Sequence, residues 1–233
     1  MGDIAEKIYS IAVDGPSGAG KSSLAKAIAA ELHILYVDTG AIYRTIGCYA
    51  RRKGVETADT EAIIALLPEV EIGMCYDAQG LQHMLLHGED VTEEIRLPEM
   101  SLYASAVSAI PEVRAFLLEM QRDFARKSSV IMDGRDIGTV VLPHADVKIF
   151  LKADVEVRAR RREIELQERG TPRPYEQVLE EMRQRDYNDT HRSAAPLRAA
   201  EDAVHVDTSS LNFEESAAVL AGLVIDRLSP KQE

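Results

Sequence analysis

Cysteine is scarce in this chain, which has only Cys48 and Cys75 among its 233 residues. Two thiols cannot frame a disulfide-stapled scaffold, and these two lack the spacing of a metal-binding pair, so a reducing compartment is expected. Positive charge is also short, with 27 Lys and Arg against 39 Asp and Glu and a net charge of −12. A surface of that sign repels phosphodiester chains and anionic bilayers, so neither nucleic acid nor membrane is expected as a partner. No apolar run approaches the ~20 residues that a spanning helix needs. The N-terminus lacks the basic-then-apolar pattern of a secretory leader, and Met1-Gly-Asp-Ile-Ala-Glu6 lacks the hydroxyl residue of a myristoylation signal. A cytoplasmic, soluble protein is the expectation. Internal repeats and low-complexity tracts are missing too. The length then suits one sizeable domain with room for an insertion.

What the chain does have is Gly15-Pro-Ser-Gly-Ala-Gly-Lys21-Ser22. The apolar run from Ile8 to Val13 precedes it, and Leu24, Ala27, Ile28 and Leu32 follow at helical spacing. Strand, glycine-rich turn and helix form the setting in which this spacing cradles phosphate. Glycines let successive N–H groups curl round the oxygens, and the helix N-terminus adds unpaired donors and its dipole. Gly15, Pro16, Ser17, Gly18, Ala19, Gly20, Lys21, Ser22 and Ser23 are therefore the expected triphosphate site. Lys21 would reach the β- and γ-phosphates, and Ser22 would offer its hydroxyl to Mg²⁺. The Asn-Lys-x-Asp motif by which switch GTPases read guanine is absent.

Four further apolar runs, at 34–37, 130–132, 147–151 and 203–206, are mostly separated by helical patterns. This rhythm predicts an α/β fold: a five-stranded parallel sheet with helices on both faces. Asp14, Asp38, Asp133 and Asp207 close four of the strands, on the edge where such sheets hold ligands. Between Glu69 and Arg96 the pattern changes to strict alternation, with Asp77–Gly80 as a turn. A hairpin with a short third strand near Val91 is expected there, a small antiparallel insert.

Arginines outnumber lysines 19 to 8, a bias that suits gripping a small anion. Asp133 can hold the waters around a Mg²⁺ that Ser22 also ligates, and Arg135 and Asp136 lie just past the same strand. In a helix expected over about 175–192, Val178 and Met182 mark the inward face, and Arg185, Asp189 and Arg192 continue it. Inward charges need partners or a ligand. Arg185 and Asp189, four apart, can pair with each other, which leaves Arg192 unexplained. Upstream, Arg158, Arg161 and Arg162 share one helical face among interleaved glutamates. That face reads either as a solvated, salt-bridged helix or as a mobile lid whose arginines close on a transferring phosphoryl group.

Through Asp14–Lys21, Asp38–Arg44, His87–Arg96, Asp133–Val141 and Arg185–Arg192, the chain resembles the bacterial cytidylate kinases over nearly its whole length. This family of nucleoside monophosphate kinases implies a monomer that phosphorylates CMP and dCMP with ATP and Mg²⁺. It implies that Arg44, Arg135 and Arg192 grip the monophosphate, and that Arg185 and Asp189 hold the ribose hydroxyls. Ser105, Arg114 and Asp136 would read the base, with Thr39 near the acceptor. Lys21, Arg158, Arg161 and Arg162 would form the catalytic set. The resemblance also implies one P-loop kinase unit over 1–233, with a core of 1–65, 104–157 and 175–233. A monophosphate-binding insert at 66–103 and a short helical lid at 158–174 complete it. The family often has Gly-Thr where this chain has Ser22-Ser23, and Ser in place of Thr39; a hydroxyl is kept in both places. A kinase of the same fold acting on UMP or on a small hydroxylated metabolite is the alternative reading.

Overall fold

The computed structural model describes residues 8–229. Every apolar run expected to be a strand is one. In chain order the strands are β1 (Ser10–Asp14), β2 (Leu35–Asp38), β3 (Ile72–Tyr76), β4 (Gln82–Leu86), β5 (Glu89–Asp90), β6 (Val130–Gly134), β7 (Val147–Lys152) and β8 (Val204–Asp207). The helices are α1 (Lys21–Leu32), α2 (Thr39–Arg52), α3 (Thr60–Leu66), α4 (Met100–Ser108), α5 (Pro111–Lys127), α6 (Val155–Glu168), α7 (Tyr175–His191) and α8 (Phe213–Leu228). Five strands form one parallel sheet in the order β2-β6-β1-β7-β8, and β3-β4-β5 form a separate antiparallel sheet. Ile11, Ala12 and Val13 of β1 have no exposed surface, as a strand covered on both faces requires. Ile11 lies opposite Val147 of β7, and Ile149 of β7 lies opposite Val204 of β8.

The chain divides into two compact units, residues 34–130 and residues 9–33 with 131 onward. In the first, α2 packs on α4 around Gly47, where an added Cβ would stand 2.6 Å from the Cβ of Tyr103. Ile42, Ile46, Met84, Ile95 and Met100 are buried in this unit. The insert is the expected hairpin, with Ile72 opposite Leu86 and Tyr76 opposite Gln82. Its turn is closed by the Asp77 carboxylate, which accepts from the Gln79 and Leu81 amides. The short third strand is Glu89–Asp90, immediately before Val91.

In the second unit, Val178 and Met182 do mark the inward face of α7, packed with Ala159 and Leu166 of α6. The segment after β6 takes a form that no sequence pattern announced. After β6 the chain makes a π-helical turn, Ile137–Val141. The buried Asp14 carboxylate anchors it, accepting from the Ile137 amide at 2.7 Å and the Gly138 amide at 2.8 Å. Among the described residues no helix is long and apolar enough to cross a membrane.

Candidate active site

The glycine-rich loop hangs between β1 and α1. Gly15 leaves the strand at φ 151°, with its α-carbon so close to the Leu151 carbonyl that no side chain fits. Gly18 and Gly20 follow at φ 77° and 89°, in the region that glycine enters without strain. α1 opens directly at Lys21, so its first-turn amides lie next to the loop. The Lys21 ammonium folds back to donate to the Pro16 carbonyl at 2.8 Å and is almost wholly buried. Burial first, and then the Arg135 charge, push it down to about 7. A lysine held so is a cation short of anionic partners.

Ser22 donates its hydroxyl to the buried Asp133 carboxylate at 2.9 Å. A hydroxyl beside a carboxylate is a hard-oxygen donor pair. That chemistry fits Mg²⁺, which takes few protein ligands and keeps waters and phosphate oxygens for the rest. Ser23 is exposed.

Behind the loop lies a cluster of charge. Asp189 of α7 accepts from Arg135 Nε at 2.7 Å. Burial works to raise the Asp189 carboxyl, but Arg135, Arg185 and Arg192 outweigh it and hold it below the usual range. Asp189 thus makes a short contact with the arginine after β6, and the Arg185 charge one helical turn away acts on it as well. Arg192 donates from Nε to the Ala195 carbonyl at 2.8 Å, and its Nη2 stands 3.7 Å from buried Asp136. Three guanidinium groups face two carboxylates here, an excess of positive charge that suits a phosphate.

The α6 arginines are engaged elsewhere. Arg158 is buried, bidentate on Asp186 at 3.1 and 2.6 Å, and also donates to the Ser17 and Ala153 carbonyls. Arg161 donates to the Thr208 carbonyl at 2.6 Å and to that of Leu211 at 3.3 Å. Arg162 pairs with Glu165 at 2.7 Å. Periodicity places these residues on one face but says nothing of such distant partners, so Asp186 and Thr208 were invisible in the sequence.

In the 34–130 unit, Asp38 caps α2 through the Ala41 amide and accepts from Arg44 Nη2 at 2.8 Å. Arg44 Nε is buried and has no hydrogen-bond partner. Thr39, the first residue of α2, is buried. Arg114 of α5 lies over the Tyr43 ring at 5.5 Å and donates to the Ser108 carbonyl at 3.2 Å. Ser105 sits one turn earlier on α4, half-buried, where its carbonyl accepts from the Ser108 hydroxyl. Four of the expected acceptor residues thus belong to this unit.

A family model described as cytidylate kinase matches residues 11–224. The chain belongs to the cytidylate kinase family. The cytidylate kinase of Caldicellulosiruptor saccharolyticus is 50% identical over 209 residues, covering 90% of this chain and 92% of that protein. That of Pelotomaculum thermopropionicum is 47% identical over 214 residues, 92% and 95% of the two chains. That of Geobacter sp. (strain M21) is 44% identical over 229 residues, 98% of each. Family membership thus spans both compact units, including the insert and the arginine-bearing helices α6 and α7.

Proposed function

We propose that this cytidylate kinase family member transfers the γ-phosphoryl group of ATP to CMP or dCMP, giving ADP and CDP or dCDP. The observation that carries the reading is a phosphate loop with a buried Lys21 folded onto the Pro16 carbonyl, in a chain 50% identical over 209 residues to a cytidylate kinase. Lys21 donates to the phosphates that displace the Pro16 carbonyl, and their charge restores its full protonation. Ser22 and Asp133 would hold Mg²⁺ and its waters, and the ion would supply neutralising charge to the phosphate oxygens. The acceptor oxygen attacks the γ-phosphorus in line, the β–γ bridge bond breaks, and no covalent enzyme intermediate forms. The residues contribute positioning and charge.

Arg44, Arg135 and Arg192 are assigned to the acceptor phosphate, and Arg185 and Asp189 to the ribose. Ser105, Arg114 and Asp136 read the base, and Thr39 lies near the acceptor. Cytosine offers an amino donor beside two acceptors, so a carboxylate such as Asp136 and a guanidinium such as Arg114 are complementary to it. Uracil reverses the donor and leaves both groups mismatched. The 158–174 segment is assigned as the lid. Arg158 and Arg161 meet the transferring group only by releasing the carbonyls they now hold, which ties chemistry to rearrangement around α6. The reaction suits a cytoplasmic monomer.

Turnover of CMP, dCMP, UMP and AMP with Mg-ATP, against a control without acceptor, tests the assignment. CMP and dCMP are expected to exceed UMP and AMP clearly in kcat/KM. Equal use of UMP or AMP, or ATP hydrolysis alone, would overturn it.

A further inference from the structure

Gln82 is out of character with its neighbours. Along β4 the inward row is Gln82, Met84 and Leu86, all buried, and a primary amide among apolar side chains costs free energy unless its polar atoms are matched. Both are matched on the main chain of Asp38, and the nitrogen also meets a sulfur. The Gln82 carbonyl oxygen accepts from the Asp38 amide at 2.7 Å, and its nitrogen lies 3.4 Å from the Asp38 carbonyl and 3.0 Å from Met84 Sδ. A side chain of the insert thus pins the main chain of the last residue of β2.

Asp38 uses that fixed backbone in two directions. Oδ1 caps α2 at the Ala41 amide, and Oδ2 holds Arg44 Nη2 at 2.8 Å. Gly40 leaves room for this arrangement, since an added Cβ would stand 3.1 Å from both Arg44 Nη1 and Asp38 Oδ1. The result is an arginine held at one edge while its Nε stays buried and unmatched. A guanidinium clamped on one nitrogen with another donor waiting is oriented before its anion arrives, which saves ordering cost on binding.

We propose that Gln82 is a positioning residue for the acceptor phosphate: it fixes Asp38, and Asp38 aims Arg44. The inference rests on the assignment of Arg44 to that phosphate, and its test separates the two. Gln82→Met keeps the length of the side chain and removes both amide contacts. Losing the set of a charge-assisted contact is expected to raise KM for CMP about tenfold, with kcat and KM for ATP changed by less than about twofold. In an Arg44→Met background the same substitution adds almost nothing, because its effect runs through Arg44.

Additive effects of Gln82→Met and Arg44→Met on KM for CMP, or an equal rise in KM for ATP, overturn the proposal. An Arg44→Met enzyme with unchanged KM for CMP removes the underlying assignment, and the proposal with it. If Gln82→Met fails to fold, Asp38→Asn carries the test: the cap at Oδ1 and the backbone bond to Gln82 remain, but the group facing Arg44 becomes a donor. That enzyme is expected to show the same roughly tenfold rise in KM for CMP, and an unchanged value refutes the chain of contacts.

Discussion

Single residues of the candidate site are set by burial as much as by charge. Lys21 has lost most of its water and rests on a carbonyl, so its ammonium is poised to strengthen whatever anion replaces that carbonyl. Lys21→Ala is expected to lower kcat by ~10²–10³-fold, the cost of removing one preorganised donor from a developing charge. Circular dichroism and thermal unfolding of the variant should remain close to those of the parent. Turnover near the parent value would take Lys21 out of the reaction. Under the proposed function, Asp136 is the corresponding determinant of base choice. It is buried, so its carboxylate cannot turn to solvent when the wrong base is offered. Asp136→Asn gives the side chain a donor where only an acceptor stood, and the preference for CMP over UMP, as a ratio of kcat/KM, should narrow by ~10-fold or more. An unchanged ratio would place base reading elsewhere.

At the scale of elements, clearance between helices governs how the proposed acceptor residues are presented. α2 carries Thr39 and Arg44, α4 carries Ser105, and the two helices meet where Gly47 leaves space for Tyr103. Gly47→Ala would gain about 1 kcal/mol of helix propensity in isolation. Here the new methyl meets Tyr103 Cβ and main chain, neither of which is a flexible tip. Overpacking should prevail, with a net loss of about 1–3 kcal/mol in urea unfolding and a raised KM for CMP. A stabilised variant would show that α4 gives way freely. The same scale explains what was legible beforehand. Strands and the hairpin were readable because alternation and apolar runs are local signals, and the Val178–Met182 face of α7 because helical spacing is too. The π-helical turn was not, since Asp14 holds it from a distant strand and nothing between Ile137 and Val141 carries a period. Nor were most partners of Arg158 and Arg161: Asp186 lies on another helix, and Ser17, Thr208 and Leu211 lie 47 or more residues away in sequence. Spacing assigns a side chain to a face; it does not say which carbonyl waits there.

For the whole molecule, the informative quantity is how stability responds to protons. Several surface carboxylates are paired and titrate below the usual range, as Glu89, Asp90 and Glu119 do beside their partners. The buried Asp14 shifts the other way. Burial pushes its carboxyl up to about 7 against the pull of two amides, with the Asp136 charge adding to the rise. The folded form therefore binds a proton between about pH 4 and 7 that the unfolded chain has released. Its contribution to stability is complete below the unfolded value and is lost as pH rises through 7, with a slope of at most about 1.4 kcal/mol per pH unit. Lys21, lowered to about 7, acts with the opposite sign, but mainly above that pH. His83, raised beside Asp90, adds to the fall near neutrality and is unaffected by a change at Asp14. The comparison that isolates Asp14 is thus urea unfolding at pH 5 and 6.5 of the parent and of Asp14→Asn. The parent should lose stability between the two, and the variant, with nothing to titrate at that position, should lose measurably less. Equal losses would mean that Asp14 is ionised throughout, stabilised by the Ile137 and Gly138 amides, and that the π-helical turn is held by a full charge.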